Sequence, residues 1–327
     1  MKSTISARNN PVLVGLALGF QNDQKDFIAS RIFKGIKVDK NTGDIISFGK
    51  DHMRVVSDVR RNGNTNYVSV TVSKSEVWKL EWHELSAFID DDISDQFGAA
   101  NARANFTEML MEQLMIIRES AAVTAMTLAA SYAAGNKTSN MEWDVFATST
   151  PREDFIVAQE AVRTSCGKYP NVAIIAGDVW AYLIQHPQLL AGRLNVGESV
   201  MTAETMKPIL FPHYAPKDCE ILIGQSNYNS ANKGATAVMG RAWSDCFIYA
   251  YINPNRDPKA HQSSMTASFT KDGSTASAET SQAIQVLITK QEKYLDTEED
   301  VTDRWQYDDV VLSYDCGYLF TDCLNAV

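Results

Sequence analysis

The chain has 327 residues, of which 45% are hydrophobic and 21% charged, and a formal net charge of −10. This length allows a sizeable buried core, and the composition is typical of a folded protein and excludes global disorder. The acidic balance argues against a protein that holds DNA mainly by its phosphates, because such binding needs a basic surface.

The charge is unevenly distributed along the chain. Residues 1–61 contain 11 Lys and Arg against 6 Asp and Glu, whereas the remainder is strongly acidic. A basic leading segment on an acidic body is suited to docking on further copies of the same chain or on another acidic partner. Chance asymmetry on solvated surfaces gives the same pattern, so this interpretation stays open.

Cysteine usage and hydropathy predict a reducing compartment and no membrane partner. The five cysteines are odd in number and none is spaced as Cys-x-x-Cys, which argues against a zinc knuckle, a redox motif or a secreted disulfide framework. The apolar run from Pro11 to Phe20 is too short to cross a bilayer core of about 30 Å, and it makes a poor signal peptide.

Residues 1–40 contain no long periodic segment and are predicted to form an extended arm. A short apolar cluster around Phe27, Ile28, Ile32 and Phe33 indicates one helical turn within it. Such an arm buries little surface by itself, so we expect it to pack against another part of the assembly.

Residues 41–92 are predicted to form an extended loop built on a β-hairpin. Its two alternating runs are Val68, Val70 and Val72, and then Trp78, Leu80 and Trp82. We expect a turn at Ser73–Glu76 between them, and a polar loop from Arg60 to Asn66 before them. Because an isolated hairpin is only marginally stable, this one should gain from pairing with a neighbouring subunit.

Residues 99–133 are predicted to form the longest helix, about 50 Å long at 1.5 Å per residue. Its apolar stripe consists of Phe106, Leu110, Leu114, Ile117, Ala121, Ala125 and Leu128. The charged strip formed by Glu108, Glu112 and Glu119 is narrow, so we expect other parts of the protein to cover the helix on most sides.

Shorter elements of both kinds follow. Helices are predicted at Asp154–Ser165 and around Trp180, the latter stopped by Pro187. Strands are predicted at Val172–Ala176, Cys219–Gly224, 235–239, Phe247–Ile252, 283–289 and Val310–Tyr314, with a polar loop at Gln225–Gly234 and an acidic segment at Asp296–Asp303. The elements do not alternate as βαβ units, so the predicted class is α+β.

Nothing in the sequence indicates catalysis, a cofactor or a metal site. His83, His186 and His213 are scattered, and no phosphate-binding glycine motif is present. We interpret His186 as a residue at a helix end and Cys166 as a small packed residue rather than a nucleophile. A soluble enzyme, the rival class, would need a convergent pocket of titratable groups.

Several segments follow one another along the chain in the same order as in one protein family. They are residues 39–50, Arg60-Arg61 with a hairpin ending at Leu85–Asp91, Gly167 to His186-Pro187, Ile223-Gly224, and Tyr228-Asn229 followed by Trp243. From about residue 10 onward the chain resembles the major capsid proteins of tailed bacteriophages, whose head-shell fold is shared with encapsulins.

The resemblance implies an α+β phage major-capsid fold in four parts. They are an N-terminal arm (1–40), an extended loop (41–92), a peripheral domain with the spine helix (93–151 and 262–327) and an axial domain (152–261). It also implies subunits that form hexamers and pentamers of an icosahedral head. An encapsulin-like compartment is the alternative within the same fold.

Partners follow from the resemblance as well. They are further copies of the chain, a portal, decoration proteins and packaged double-stranded DNA bound without sequence specificity, with assembly in the host cytoplasm and no membrane. Residues 1–30 are too short for the cleavable scaffolding domain of some family members, so a separate scaffolding protein is expected. The predicted intersubunit contacts are Arg60, Arg61, Trp78 and Trp82, with the two arginines facing acidic residues of an adjacent copy.

Overall fold

A computed structural model describes residues 8–9, 26–48, 50, 55, 72–89, 99–191, 201–232, 234–254, 263–271, 283–293 and 296–325. In these ranges the α-helices are α1 (Ala29–Ile32), α2 (Ala99–Thr127), α3 (Pro151–Cys166), α4 (Gly177–Leu183), α5 (Pro187–Ala191) and α6 (Ala203–Leu210). The predicted polar loop with Arg60 and Arg61, and most of the predicted arm, lie outside the described residues.

The strands of the described ranges form two larger sheets and two ladders. They are β1 (Arg8–Asn9), β2 (Gly35–Val38), β3 (Thr42–Phe48), β4 (Val72–Lys79), β5 (Glu81–Ile89), β6 (Lys137–Thr138), β7 (Val172–Ala176), β8 (Glu220–Gly224), β9 (Asn227–Asn229), β10 (Met239–Arg241), β11 (Cys246–Ala250), β12 (Thr266–Lys271), β13 (Ala283–Lys293), β14 (Asp296–Val311) and β15 (Gly317–Thr321).

The long helix α2 has 29 residues, which corresponds to about 44 Å. It ends at Thr127, six residues earlier than predicted, because Leu128 adopts an extended conformation and a 3-10 turn follows at Ala129–Ser131. Its buried residues include Leu110, Met111, Leu114, Met115, Ala122 and Met126. The predicted stripe was therefore only partly right, since Ile117 and Leu128 are exposed.

The first sheet has the strand order β6-β15-β11-β7-β8. Strands β7 and β11 are buried at every position, because both of their faces are covered. Helix α3 packs on this sheet, and it begins with Pro151 and ends at Gly167, whose positive φ of 81° suits glycine. The prediction for β7 is confirmed residue for residue.

The second sheet has the order β1-β13-β14-β12-β2, and β5 also pairs with β14. Strand β14 contains the acidic segment that was predicted to separate two strands, so that prediction was wrong. Alternate residues of β14 (Val301, Asp303, Trp305 and Tyr307) are buried. This period of two is typical of a strand with one buried face, and it places the charged Asp303 on the buried side.

The predicted hairpin has a different register and different partners. Strand β4 continues through the predicted turn at Ser73–Glu76, with one register shift in its pairing with β3, whereas β5 pairs with β14. Strands β4 and β5 are instead separated at Leu80, whose backbone N–H donates to the carbonyl of Asn41 at 2.8 Å. Polar residues at 73–76 are compatible with a two-stranded ladder, because such a ladder needs only one apolar face.

Two further predictions need correction. The predicted polar loop at Gln225–Gly234 contains β9, which pairs with β10 as a short ladder. Pro187 does not stop α4, which ends at Leu183; it begins α5 instead, where a missing N–H costs nothing.

The sheets cross the predicted domain boundaries. Strands β6 and β15 come from the two predicted peripheral segments, yet they lie in the first sheet with the elements predicted as axial. Strand β2, from the predicted arm, pairs in parallel with β12 in the second sheet. The four-part division itself stays a prediction.

Candidate subunit-interface surfaces

The inner face of the β3–β4 ladder is fixed to its own chain by Trp78. This indole is 9% exposed and stacks on Phe269 of β12, with ring centroids 5.4 Å apart. Gly43 lies opposite Trp78 in the ladder, and a Cβ added there would lie 2.5 Å from a ring carbon. Glycine at position 43 therefore lets the indole lie flat against the backbone.

The outer face of the same ladder carries apolar side chains that are exposed in the described part of the chain. Val77 is 62% exposed, although its neighbours Trp78 and Leu80 are buried. Ile46 and Val72 are exposed as well. β-Branched side chains on the solvent face of a two-stranded ladder are typical of a surface that another protein covers.

Trp82 lies on the neighbouring strand β5 and is 43% exposed. The guanidinium carbon of Arg304, on β14, lies 4.4 Å from the centroid of its ring. Phe88 is also exposed on β5, and Ser86 shares a 2.7 Å hydrogen bond with Thr302 of β14. The arrangement is a partly exposed aromatic ring beside a cation, which suits an anchor at a protein interface.

The two tryptophans of the predicted contact site thus have different surroundings. Trp78 and Trp82 were predicted to share one strand face, and this was wrong, because they lie on two different strands. Trp78 packs inside its own chain, which leaves Trp82 as the member of the pair that is open to a neighbour. An intersubunit contact by any of the four residues stays a prediction.

Glu119 of α2 connects three separate parts of the chain. Its carboxylate accepts hydrogen bonds from the backbone N–H groups of Ile28 at 3.2 Å and Ala29 at 2.9 Å, and from the indole N–H of Trp243. The two backbone donors belong to the first turn of α1, whose N–H groups lack partners within the helix. Burial raises the pKa of Glu119, and these hydrogen bonds oppose the shift.

Sequence reasoning missed this junction because it placed Glu119 on a solvated strip with Glu108 and Glu112. Glu112 is exposed, but Glu119 is buried. The one available signal was that Glu119 directly follows Arg118 on a helix that is otherwise mostly apolar.

Arg118 attaches the same helix to the second sheet. Its guanidinium group donates to both carboxylate oxygens of Asp309, at 2.8 and 3.0 Å. It also lies over the ring of Tyr307, 4.6 Å from the centroid. Arg118 is buried, so this is a desolvated bidentate pair with a cation–π contact.

Asp303 of β14 is completely buried, and within the described ranges neither of its carboxylate oxygens has a hydrogen-bond partner. It lies on the strand face that carries Val301 and Trp305, which pack with Met111 of α2 in one apolar cluster. Burial raises the pKa of Asp303 to about 7. Burial therefore favours the neutral, protonated form of this side chain.

His186, which was predicted to lie at a helix end, forms hydrogen bonds within its own chain. His186 is buried between α4 and α5, its Nδ1 accepts from the backbone N–H of Gln188 at 3.2 Å, and its Nε2 lies 3.0 Å from the hydroxyl of Ser149. Burial lowers the pKa of His186. Both ring nitrogens thus have partners within the chain.

The described residues lack a clustered metal site and a membrane-spanning helix. In these ranges no three or more His, Cys, Asp and Glu side chains are grouped so that they would hold a metal ion. No helix of the described part combines the length and apolar character that crossing a bilayer requires.

The sequence of this chain is similar to that of one phage capsid protein. No protein-family model matches the chain. The chain is 26% identical over 246 residues to the major capsid protein of Burkholderia phage BcepMu, covering 74% of this chain and 76% of that protein.

Solved structures show the same fold over most of the chain. A phage-related protein from Bordetella bronchiseptica superimposes with a TM-score of 0.72 at 19% identity, covering 98% of this chain and 100% of that one. The capsid structure of cyanophage P-SCSP1u matches with a TM-score of 0.51 at 10% identity, covering 89% and 86%. The protein thus has the α+β fold of phage capsid proteins. The predicted resemblance to the major capsid proteins of tailed phages is confirmed.

Proposed function

We propose that this chain is the major capsid protein of a tailed bacteriophage, a structural subunit and not an enzyme. Copies of it assemble into hexamers and pentamers of an icosahedral head that encloses double-stranded DNA. The observation that carries the proposal is the capsid fold, matched over nearly the whole chain, together with the sequence similarity to a phage major capsid protein.

The exposed apolar surfaces support a role in self-assembly. The outer face of the β3–β4 ladder and the ring of Trp82 are exposed among the residues that the structure describes. In the shell, these surfaces lie against neighbouring copies, and Arg60 and Arg61 face acidic residues of an adjacent copy. Each contact is modest, but a closed shell combines many of them, so the assembly is stable although each pair is weak.

The buried polar junctions support this role from inside the subunit. Glu119 holds the base of the arm on α2, and Arg118 holds the second sheet on the same helix. Docking surfaces on a rigid subunit lose little conformational entropy on association, so more of the contact energy contributes to assembly.

The acidic body of the chain is suited to enclosing DNA. The net charge of the whole chain, −10, makes strong adhesion to phosphate groups unfavourable. DNA inside the shell is packed without sequence-specific binding. The other partners in this proposal are a portal, a separate scaffolding protein and decoration proteins. Assembly takes place in the host cytoplasm, and the finished protein resides in the virion capsid.

Negative-stain electron microscopy of the expressed chain, combined with size-exclusion chromatography, tests the proposal. We expect closed shells or capsomers in the void volume. A small oligomer that never yields shells, with or without co-expressed scaffolding protein, would contradict it. DNA-free shells that hold a cargo protein would instead favour an encapsulin-like compartment.

The predicted role of the arginine pair has its own test. Arg60→Glu with Arg61→Glu should give folded capsomers but few closed shells, because the reversed charges meet acidic residues of the neighbour. Arg60→Lys with Arg61→Lys is the matched control and should retain shells. Normal shells from the glutamate variant would remove this role from the pair.

A further inference from the structure

The carboxyl end of α3 is held against the turn that precedes β15. The hydroxyl of Ser165 donates to the carbonyl of Asp315 at 2.7 Å, across a sequence separation of 150 residues. The side-chain amide of Asn136 donates to the Ser165 hydroxyl at 2.9 Å and to the carbonyl of Gly317 at 3.0 Å. These contacts bracket the next residue on each side, Cys166 and Cys316.

The two cysteines are neighbours in the fold, because Cys316 lies in the buried cluster around the first sheet and Cys166 packs against that cluster. The interaction between their side chains lowers the pKa of Cys166 and raises that of Cys316. The Ser263 hydroxyl and the Lys168 backbone N–H also lower the pKa of Cys166. Cys166 is partly exposed and Cys316 is buried. The pair therefore combines an accessible thiol that ionises readily with a protected thiol beside it.

We propose that Cys166 and Cys316 form a redox-sensitive pair that a low-molecular-weight disulfide oxidises to a disulfide bond. The Cys166 thiolate attacks one sulfur of glutathione disulfide, and the first glutathione leaves as a thiolate. The Cys316 sulfur then attacks the Cys166 sulfur and displaces the second glutathione as a thiolate, which takes up the proton that Cys316 releases. Two protein thiols are oxidised, and one glutathione disulfide is reduced to two glutathione molecules.

The remaining cysteines lack this combination. Cys246 and Cys323 interact with each other, but both are buried, and burial raises the pKa of each. Burial also raises the pKa of Cys219. These thiols should therefore stay reduced while Cys166 and Cys316 react, and they serve as controls within the same molecule.

The bond would attach α3, which packs on the first sheet, to the start of β15 in that sheet. It closes a loop of about 150 residues, a length at which a cross-link restricts the unfolded chain strongly. In a capsid, the pair would be reduced during assembly in the cell and oxidised after release. This last step rests on the proposed function.

The test uses the full chain, both before assembly and in assembled form. Samples are equilibrated with glutathione disulfide or with dithiothreitol, free thiols are blocked with N-ethylmaleimide, and the digest is analysed by mass spectrometry. We expect a single linked peptide pair containing Cys166 and Cys316 in the oxidised sample, and its loss after reduction. The oxidised form should also melt several degrees higher.

Two variants separate the steps. Cys316→Ala should stop at a mixed disulfide of Cys166 with glutathione, and Cys166→Ser should show neither product. A wild-type Cys166 that stays free or glutathionylated under oxidation, or links scattered over all five cysteines, would overturn the proposal. Electron microscopy of the same samples reports shell formation separately, so failure of the capsid role and failure of the cysteine pair are distinguishable.

Discussion

The carboxylate of Glu119, on the long helix α2, accepts a hydrogen bond from the indole of Trp243, which is buried in the core around the first sheet. The same carboxylate caps the first turn of α1 at the base of the predicted arm. One buried side chain thus fixes the positions of the arm base, the helix and the core of the first sheet relative to one another.

Replacing Glu119 with Leu should destabilise the chain and release the arm base. The N–H groups of Ile28, Ala29 and Trp243 would lose their acceptor, and each buried donor left unpaired costs about 1–3 kcal/mol. Urea unfolding should give a lower midpoint, and hydrogen exchange should accelerate at residues 28–33. Glu112→Leu, at an exposed position of the same helix, is the control. Unchanged exchange at Ile28 and Ala29 would contradict the capping role.

Arg118→Met should cost about 3–5 kcal/mol of unfolding free energy, because it leaves the carboxylate of Asp309 in a mostly desolvated site without its cation. Adding Asp309→Asn to this variant should recover much of the loss. The exposed pair Lys79–Glu81, at 2.6 Å, is the comparison, and Lys79→Met should leave the melting temperature unchanged. Equal losses in the single and double Arg118 variants would argue against a coupled pair.

Asp303 predicts a specific pH dependence of stability. Its pKa rises from 3.8 in the unfolded chain to about 7 in the folded one, so the folded state binds the proton more tightly. Stability from this group is therefore present below about pH 4, is lost as the pH rises toward 7, and stays low above it. Over this window the loss is on the order of 4 kcal/mol.

The difference between wild type and Asp303→Asn isolates this effect from the other titrating groups. Urea unfolding at pH 5 and pH 8 should show the asparagine variant gaining on the wild type as the pH rises. A difference that is the same at both values would show that the Asp303 carboxylate is not perturbed in the folded chain.

Trp78 and Trp82 should respond differently to truncation. Trp78→Ala removes a buried ring that stacks on Phe269, so it should cost about 3–5 kcal/mol in stability. Trp82→Ala removes a ring that is partly exposed, so the subunit should keep most of its stability but assemble poorly. Denaturant titration and light scattering of assembly reactions measure the two effects. Normal assembly kinetics for Trp82→Ala would remove Trp82 from the interface.

Elements with a strong apolar period were predictable from the sequence. Strand β7 and the existence of α2 and α3 followed from runs of buried residues and from terminal signals such as Gly167. Strand β14 was not predictable as one element, because its acidic residues mask the alternation of Val301, Trp305 and Tyr307. The pairing of β3 with β4 depends on partners far apart in the chain, which local patterns do not encode.

The buried charges were harder to predict than the fold. Arg118 and Glu119 look like ordinary surface residues of a helix until their partners at Asp309, Ala29 and Trp243 are known. Cys166 was interpreted as a small packed residue, and its sequence context gives no sign of a partner. Cys316 lies 150 positions away, and hydrogen bonds from Ser165 to Asp315 and from Asn136 to Ser165 and Gly317 bring the two residues close together.

The position of β15 has a consequence for biosynthesis. This strand completes the first sheet beside β11, yet β12, β13 and β14 of the second sheet are all encoded between them. A ribosome must therefore emit most of the second sheet before the first one is able to close. Nascent chains that pause after β11 would expose an unpaired strand edge, so translation speed through this interval would influence the yield of soluble protein.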